Sequence, residues 1–208
     1  MHKTVQFPNS YIVWDLETTG FDGTKNHIVE IGMFKVVDGE IFSTKRWVLN
    51  HNIEIPEEIT KINGMTKEII DAEGIDPKSG LSDFLDYVRN SNCNITHNGV
   101  KFDIPFLINQ VRVVLGWDEE LLKKVETHLN RTAIDTAMMF KANLHGIVRQ
   151  WNESLYKYYV RVGEQILKGK YNLGVCCDEL QVDKSKVTQH RALGDVELTN
   201  EIYKIMIA

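Results

Sequence analysis

Two carboxylates, Asp15 and Glu17, directly follow a short apolar run from Tyr11 to Trp14. The run is rich in β-branched and aromatic residues, so it predicts a buried strand that ends at the two acids. Residues two positions apart in an extended chain point to the same side, where two carboxylates repel each other unless a cation lies between them. A hard divalent cation prefers oxygen ligands, so the pair indicates a metal site. Two solvent-exposed acids in a loop would give the same pattern.

Such a site could be completed by three other residues, which occur later in the chain. Asp103 precedes Ile104 and Pro105, where a helix is expected to begin, so capping that helix is its simplest alternative role. Asp195 is expected early in the last helix, where an acid also favours the positive end of the helix dipole. His190 lies five residues earlier in a predicted loop and, taken alone, indicates a surface residue.

The elements that would position these residues are predicted from hydrophobic periodicity and turn signals. Two strands, 27–37 and 40–49, flank an Asp38-Gly39 hairpin signal, so the chain opens as an antiparallel meander of three strands. Helices and short strands then alternate, which predicts an α/β domain with a mixed sheet. The predicted helices are 56–61, 81–89, 104–115, 118–129, 173–180 and 192–206, and the short strands are 94–96 and 132–134.

Composition limits the class of protein. The chain has 208 residues, of which 43% are hydrophobic, enough for one domain with a sizeable core. Its net charge of −5 argues against a surface that binds nucleic acid everywhere, but not against a local pocket for one strand. The apolar runs are too short for a signal sequence or a membrane span. Three cysteines, two of them adjacent, show no disulfide framework, so we expect a reducing, cytoplasmic setting.

Taken in order, the motifs resemble those of one enzyme family. They are Asp15-x-Glu17, then His97-Asn98-x-x-x-Phe102-Asp103, then His190-x-Ala192-x-x-Asp195. This set is similar to the DEDDh (DnaQ-like) exonucleases, the family of the proofreading subunit of bacterial replicative DNA polymerases. The stretches 28–32, 62–66 and 134–136 also look like the family's sequence, and the resemblance runs from about residue 11 to 203. A sister subfamily has tyrosine four residues before the last aspartate, where this chain has Arg191, so the histidine type is favoured.

The resemblance implies a fold, an activity and a set of roles. The fold is RNase-H-like, with a mixed five-stranded sheet flanked by helices, and residues 1–208 form a single exonuclease domain. The activity is removal of nucleotides from nucleic-acid 3′ ends in the 3′→5′ direction with two divalent cations, Mg²⁺ or Mn²⁺, single-stranded DNA ends being favoured. The implied metal ligands are Asp15, Glu17, Asp103 and Asp195, and the implied general base is His190.

The resemblance also implies a set of substrate contacts. The terminal nucleotide would lie against Thr18 and Met65, and Phe102 would line its pocket. Asn63 and Asn98 complete the predicted binding residues. Asn63 stands where the family usually has histidine, which puts a specific contact there in doubt, and ordinary core packing is the alternative for Met65 and Phe102.

Other functions remain open at this level. The catalytic motifs do not separate DNA from RNA, so an exoribonuclease that trims RNA 3′ ends is the main alternative. A non-catalytic nucleic-acid-binding domain on the same fold is a second alternative, but it predicts loss of an acid or of the histidine, and all five are present. A polymerase or another replication protein is a possible partner, and no membrane association is expected.

A segment at about 141–170 interrupts the resemblance. It carries six basic and two acidic residues in a chain that is otherwise net negative, together with Trp151, Tyr156, Tyr158 and Tyr159. Basic side chains attract phosphates and aromatic rings stack on bases, so the segment is predicted to guide a strand toward the acids. A helical insertion whose aromatic residues pack on the domain is the structural alternative.

Overall fold

A mixed sheet of five strands forms the centre of the computed structural model, which describes residues 8–185, 187–188 and 190–208. The strands are β1 (Tyr11–Thr18), β2 (Ile28–Val37), β3 (Glu40–Val48), β4 (Asn94–Thr96) and β5 (Ala133–Asp135). Their order is β3-β2-β1-β4-β5, with β1, β2 and β3 antiparallel and β1, β4 and β5 parallel. The predicted meander and mixed sheet are therefore confirmed.

Helices cover both faces of the sheet. In the described residues they are α1 (Glu57–Asn63), α2 (Lys67–Glu73), α3 (Pro77–Asn90), α4 (Asp103–Gln110), α5 (Glu119–Thr132), α6 (Thr136–Leu144), α7 (Leu155–Gln165), α8 (Leu173–Glu179) and α9 (Ala192–Ile207). A short π-helical turn, Val111–Leu115, follows α4. No helix in the described part of the chain is long and apolar enough to cross a membrane.

The alternation of β1 divides the core into two layers. Ile12, Trp14 and Leu16 point to the layer that holds α3, α4 and α5. Tyr11 and Val13 point to the other layer, where they pack with residues of α9. Asp15 and Glu17 continue this second row, so the strand's geometry directs both acids toward α9.

Several element boundaries differ from those predicted. We expected the first strand to end at Trp14, but β1 continues through both acids to Thr18, with a register shift against β2 at its last two residues. The helix predicted for 104–115 is α4 plus the π-helical turn. Sequence periodicity did not predict α2, α6 or α7. The short α2 depends on a capping bond, in which the Thr66 side chain accepts from the Ile69 backbone amide at 3.3 Å.

Candidate metal centre and active site

The acidic site lies at the end of β1, where the strand meets α9. In the β1–β2 pairing Asp15 stands opposite Gly32 and Glu17 opposite Glu30. A Cβ on Gly32 would lie 2.5 Å from the carbonyl carbon of Ala192, so only glycine lets the first residue of α9 approach the sheet this closely. The start of α9 is thereby held directly over Asp15.

The first turn of α9 brings the third acid into the cluster. Carboxylate oxygens of Asp15, Glu17 and Asp195 all lie within 4.8 Å of one another. One Asp195 oxygen also accepts the backbone N–H of His190 at 3.1 Å. His190 is exposed and has a left-handed backbone, with φ of 58°. The predicted loop position of His190 is therefore confirmed, and its backbone is joined to one of the three clustered acids.

Asp103 follows the loop between β4 and α4. It is the first residue of α4 and only 3% exposed, and Phe102 occupies the capping position that was considered for Asp103. Asp135, at the end of β5, organises this loop, because its carboxylate accepts the backbone amides of Asn98 at 3.0 Å and Val100 at 3.1 Å. Parallel strands β1, β4 and β5 end at one edge of the sheet, which is where ligands of open α/β sheets commonly bind.

The carboxylates perturb one another strongly. Burial, followed by Asp103, Glu17 and Asp195, raises the pKa of Asp15 well above its usual range. Burial and the charge of Asp195 raise the pKa of Glu17 to about 8. Burial and then Asp135 raise the pKa of Asp103 to about 7. Burial also raises the pKa of Asp195, against the lowering effect of His190.

Such a group of hard oxygen ligands suits a divalent cation. A cation among the acids would offset the repulsion that now favours their protonated forms. The cluster is therefore a site that could bind a metal ion. The charge of Asp103 raises the pKa values of Asp15 and Glu17, and the charge of Asp195 raises that of Asp103, which indicates that Asp103 lies near the other three acids.

The predicted substrate residues have different surroundings. Asn98 is exposed in the loop between β4 and α4, with φ of 63°. Thr18 is half-buried and donates its hydroxyl to the Gly20 carbonyl at 2.7 Å. Asn63 is buried; its side-chain hydrogen bond lowers the pKa of Glu17, and its Oδ1 accepts the Met65 amide at 3.0 Å. It is therefore in contact with a predicted metal ligand.

Met65 and Phe102 differ in exposure. Met65 is fully buried with Val29, Val48 and Ile70, which is the core-packing alternative, so its contact with substrate stays a prediction. Phe102 is half-buried and touches Phe21 edge to face, at 6.1 Å between ring centroids. Sequence reasoning missed Phe21, which is 85% exposed. The sequence offered one signal for an exposed ring at this position, namely an aromatic residue directly after the Thr18-Thr19-Gly20 break.

The basic segment is partly structural. Lys141 belongs to α6 and is 8% exposed; its Nζ donates to the Ile166 carbonyl at 3.3 Å. Arg161 binds both carboxylate oxygens of Glu153, at 2.8 and 2.7 Å. Tyr159 is 1% exposed and unable to stack on a base, whereas Trp151 is 91% exposed. For Lys141, Arg161 and Tyr159 the structure agrees with the packing alternative, whereas guidance of a strand by the rest of the segment stays a prediction.

Comparison with known proteins agrees with the fold and with the family resemblance. The model of the RNase T exonuclease family matches residues 12–203, which include all the acids and His190. The chain belongs to this family. DNA polymerase III subunit epsilon of Haemophilus influenzae is 27% identical over 206 residues, covering 96% of this chain and 68% of that protein. A PolC-type DNA polymerase III of Clostridium perfringens is 33% identical over 101 residues, or 49% of this chain and 7% of that protein.

A solved exonuclease structure has the same fold, which confirms the predicted RNase-H-like class. The zinc-bound complex of Escherichia coli exonuclease I with single-stranded DNA superposes with a TM-score of 0.72 at 14% identity. The match covers 95% of this chain and 40% of exonuclease I. The RNase T family chain thus spans a small part of the PolC-type polymerases and less than half of exonuclease I.

Proposed function

We propose that this chain is a 3′→5′ exonuclease that hydrolyses phosphodiester bonds at DNA ends with the help of two divalent cations. The observation that carries the proposal is the meeting of the oxygens of Asp15, Glu17 and Asp195 within 4.8 Å. Asp103 is included because burial and then the charge of Asp103 raise the pKa of Asp15. The assignment to DNA rests on the relatives, which are named as DNA polymerase III proteins, and on an exonuclease I complex with single-stranded DNA.

The four acids are proposed to hold the cations and to leave room for a phosphate. Bound divalent cations stabilise the charge that develops on the attacking and leaving oxygens, with an expected separation of about 3.5–4 Å. The identity of the cations as Mg²⁺ or Mn²⁺ is part of the proposal. Asn63 would keep the Glu17 carboxylate in one orientation through its side-chain amide.

His190 is proposed to be the general base. An exposed imidazole can accept a proton from water on a ring nitrogen. Its backbone amide is fixed to Asp195 at 3.1 Å, so the proton acceptor is attached to the same turn that carries a metal ligand. The two roles therefore depend on a single placement of α9.

The rim of the site is proposed to bind the terminal nucleotide. Phe21 and Phe102 form an aromatic pair next to the loop that follows β1 and the loop that precedes Asp103. Aromatic rings stack on any base, so weak sequence preference is expected. Asn98 and Thr18 would contribute polar contacts at the same rim.

The exposed part of the basic segment is proposed to guide longer strands. Lys157, Lys168 and Lys170 are exposed, as is Trp151. The segment reaches the loop between β4 and α4. A Cβ on Gly163 of α7 would lie 2.5 Å from the Nζ of Lys101, which is two residues before Asp103. Association with a DNA polymerase and a cytoplasmic location are further parts of the proposal; the three cysteines are free and buried, as expected in a reducing compartment.

End-labelled substrates test the polarity and the substrate class together. Single-stranded DNA, duplex DNA and RNA of one sequence, labelled at the 5′ or the 3′ end, are incubated in Mg²⁺, in Mn²⁺ and in EDTA. We expect the 3′ label to appear at once as a mononucleotide and the 5′ label to give a shrinking ladder, in metal only. Asp103→Asn, which keeps the size of the side chain, is the inactive control.

Each part of the proposal has its own contrary result. Release of the 5′ label first would reverse the polarity. Faster degradation of RNA than of DNA would favour the exoribonuclease alternative. Undiminished activity in EDTA, or in the Asp103→Asn variant, would refute the metal site.

A further inference from the structure

A fifth acid, Glu30, lies beneath the acidic cluster. It is 1% exposed and stands opposite Glu17 in the β1–β2 pairing. The oxygens that come within 4.8 Å of one another belong to other residues, so Glu30 is placed near the candidate metal site without being part of its closest group. A buried carboxylate in this position must have other partners.

Two arginines and one backbone amide donate hydrogen bonds to the Glu30 carboxylate. Arg191 donates to both oxygens, from Nη2 at 2.9 Å and from Nε at 3.2 Å. The backbone N–H of Ala192 donates at 3.1 Å, and Arg46 forms a further ion pair. These partners keep the pKa of Glu30 below its usual value despite burial.

Two of the partners of Glu30, Arg191 and Ala192, stand at the start of α9. Arg191 is the N-cap residue, yet its own side chain makes no capping bond, so Glu30 supplies the acceptor for the first helical amide. His190 directly precedes Arg191, and Asp195 lies one turn later. The two-point contact between guanidinium and carboxylate fixes direction as well as distance.

We infer that Glu30 and Arg191 are positioning residues that hold His190 and Asp195 in place for hydrolysis. The inference rests on the proposed exonuclease activity and assigns these two residues no contact with substrate. Sheet and helix would still pack without the Arg191–Glu30 contact, because Val196 and Tyr203 of α9 are buried against β1. The contact instead sets where the first turn of the helix stands over the acids.

Arg191→Met and Arg46→Met form a matched pair of variants. Each removes one cation from Glu30, but only the first also removes a tie to α9. We measure kcat and KM on 3′-labelled single-stranded DNA in Mg²⁺. We expect Arg191→Met to lower kcat by about 10–100-fold, since a misplacement of about 1 Å can cost as much as 10²-fold. KM should stay within about threefold of the parent in both variants, because neither change touches the terminal-nucleotide pocket. The kcat of Arg46→Met should also stay within about threefold, because α9 keeps its contact with Glu30.

A second comparison tests whether the effect passes through the residues named. We measure kcat of Arg191→Met in a His190→Ala background, and we measure the Mn²⁺ affinity of Arg191→Met alone. If the effect passes through His190, Arg191→Met should lower kcat by less than about a further threefold in the His190→Ala background. If it passes through Asp195, Mn²⁺ binding should weaken by about the factor by which Arg191→Met lowers kcat. Arg191→Lys, which keeps the charge but not the two-point contact, should lie between the parent and Arg191→Met.

Several results would overturn the inference. Equal losses in Arg191→Met and Arg46→Met would mean that only the charge on Glu30 matters. A full additional loss in the His190→Ala background with unchanged Mn²⁺ affinity would show that neither His190 nor Asp195 carries the effect. If Arg191→Met does not fold by circular dichroism, the Arg191→Lys variant decides, with full activity counting against positioning. Absence of activity in the parent protein would instead refute the proposed function.

Discussion

Raising the pH should destabilise the metal-free protein. The pKa values of Glu17 and Asp103 in the folded state are about 8 and 7, raised chiefly by burial. In the unfolded chain these groups have ordinary values near 4, so the folded state binds more protons above that pH. Their contribution to stability is complete below about pH 4 and is lost as the pH rises through 7 and 8.

The expected loss between about pH 6.5 and pH 8 follows from these values. Each proton difference changes the free energy of unfolding by about 1.4 kcal/mol per pH unit, which gives about 2 kcal/mol for the two groups together. For a chain of this size that corresponds to a fall in Tm of roughly 4–8 °C. Asp15 and Asp195, whose pKa values are also raised by burial, act in the same direction.

The carboxylates dominate the pH dependence in the chosen range. Burial lowers the pKa of His51 and of His97 to about 4, so above pH 6.5 both rings are neutral in the folded state. The opposing effect comes only from the protons that histidines still bind in the unfolded chain near their ordinary pKa of about 6.5. Burial raises the pKa of Cys93 and of Cys176 to about 12, so loss of thiol protons matters only at higher pH. Thermal unfolding is followed by circular dichroism in EDTA at both pH values.

Two controls decide the interpretation. The Glu17→Gln, Asp103→Asn double variant should lose about 2 kcal/mol of the pH dependence, because neither side chain can ionise, and only the part due to Asp15 and Asp195 should remain. Saturating Mn²⁺ should also remove it, since a bound cation replaces the protons and adds about 2.7 kcal/mol at a hundred times its Kd. A Tm in EDTA that is the same at both pH values, or that falls equally in the double variant, would refute the reasoning.

Three further outcomes are expected. Phe21→Ala should raise KM for single-stranded DNA by about tenfold with little change in kcat, as loss of one stacked base is worth about 1–3 kcal/mol; a fall in kcat alone would contradict a binding role. Gly32→Ala should place a methyl group against the Ala192 backbone and lower both Tm and activity, whereas equal activity to the parent would show that α9 can shift without cost. Arg161→Met should lower Tm without changing the salt dependence of KM, while Lys168→Ala should flatten that dependence and leave Tm alone; the reverse pattern would show that Arg161 contacts the strand.

The sequence was most informative where chemistry and local periodicity coincide. The meander, the mixed sheet and the last helix follow from alternation, a hairpin signal and an apolar helical face, and all are confirmed. The end of β1 was misplaced because acids normally end an apolar run. Here the strand continues, since Asp15 and Glu17 point to the edge where α9 begins.

Contacts between distant parts of the chain could not be predicted from one sequence. Glu30 appeared only as part of a buried strand, and Arg191 only as a residue that is not tyrosine, yet the two are hydrogen-bonded across 161 positions. Asp135 was read as the end of a short strand, and its bonds to the Asn98 and Val100 amides depend on the parallel pairing of β4 and β5. The basic segment was judged by charge, which does not reveal that Arg161 is already bound to Glu153.

The placement of α9 over β1 and β2 has a kinetic consequence. The strand acids come from the first element of the fold, and Asp195 and His190 come with the last, so closing the site requires ordering contacts between parts of the chain about 180 residues apart. Such contacts form late when loop closure is costly. Recovery of hydrolysis during refolding would then report the docking of α9, while far-ultraviolet circular dichroism reports the earlier helices. Amide exchange in α9 should likewise reveal whether this helix opens as a unit before the sheet does.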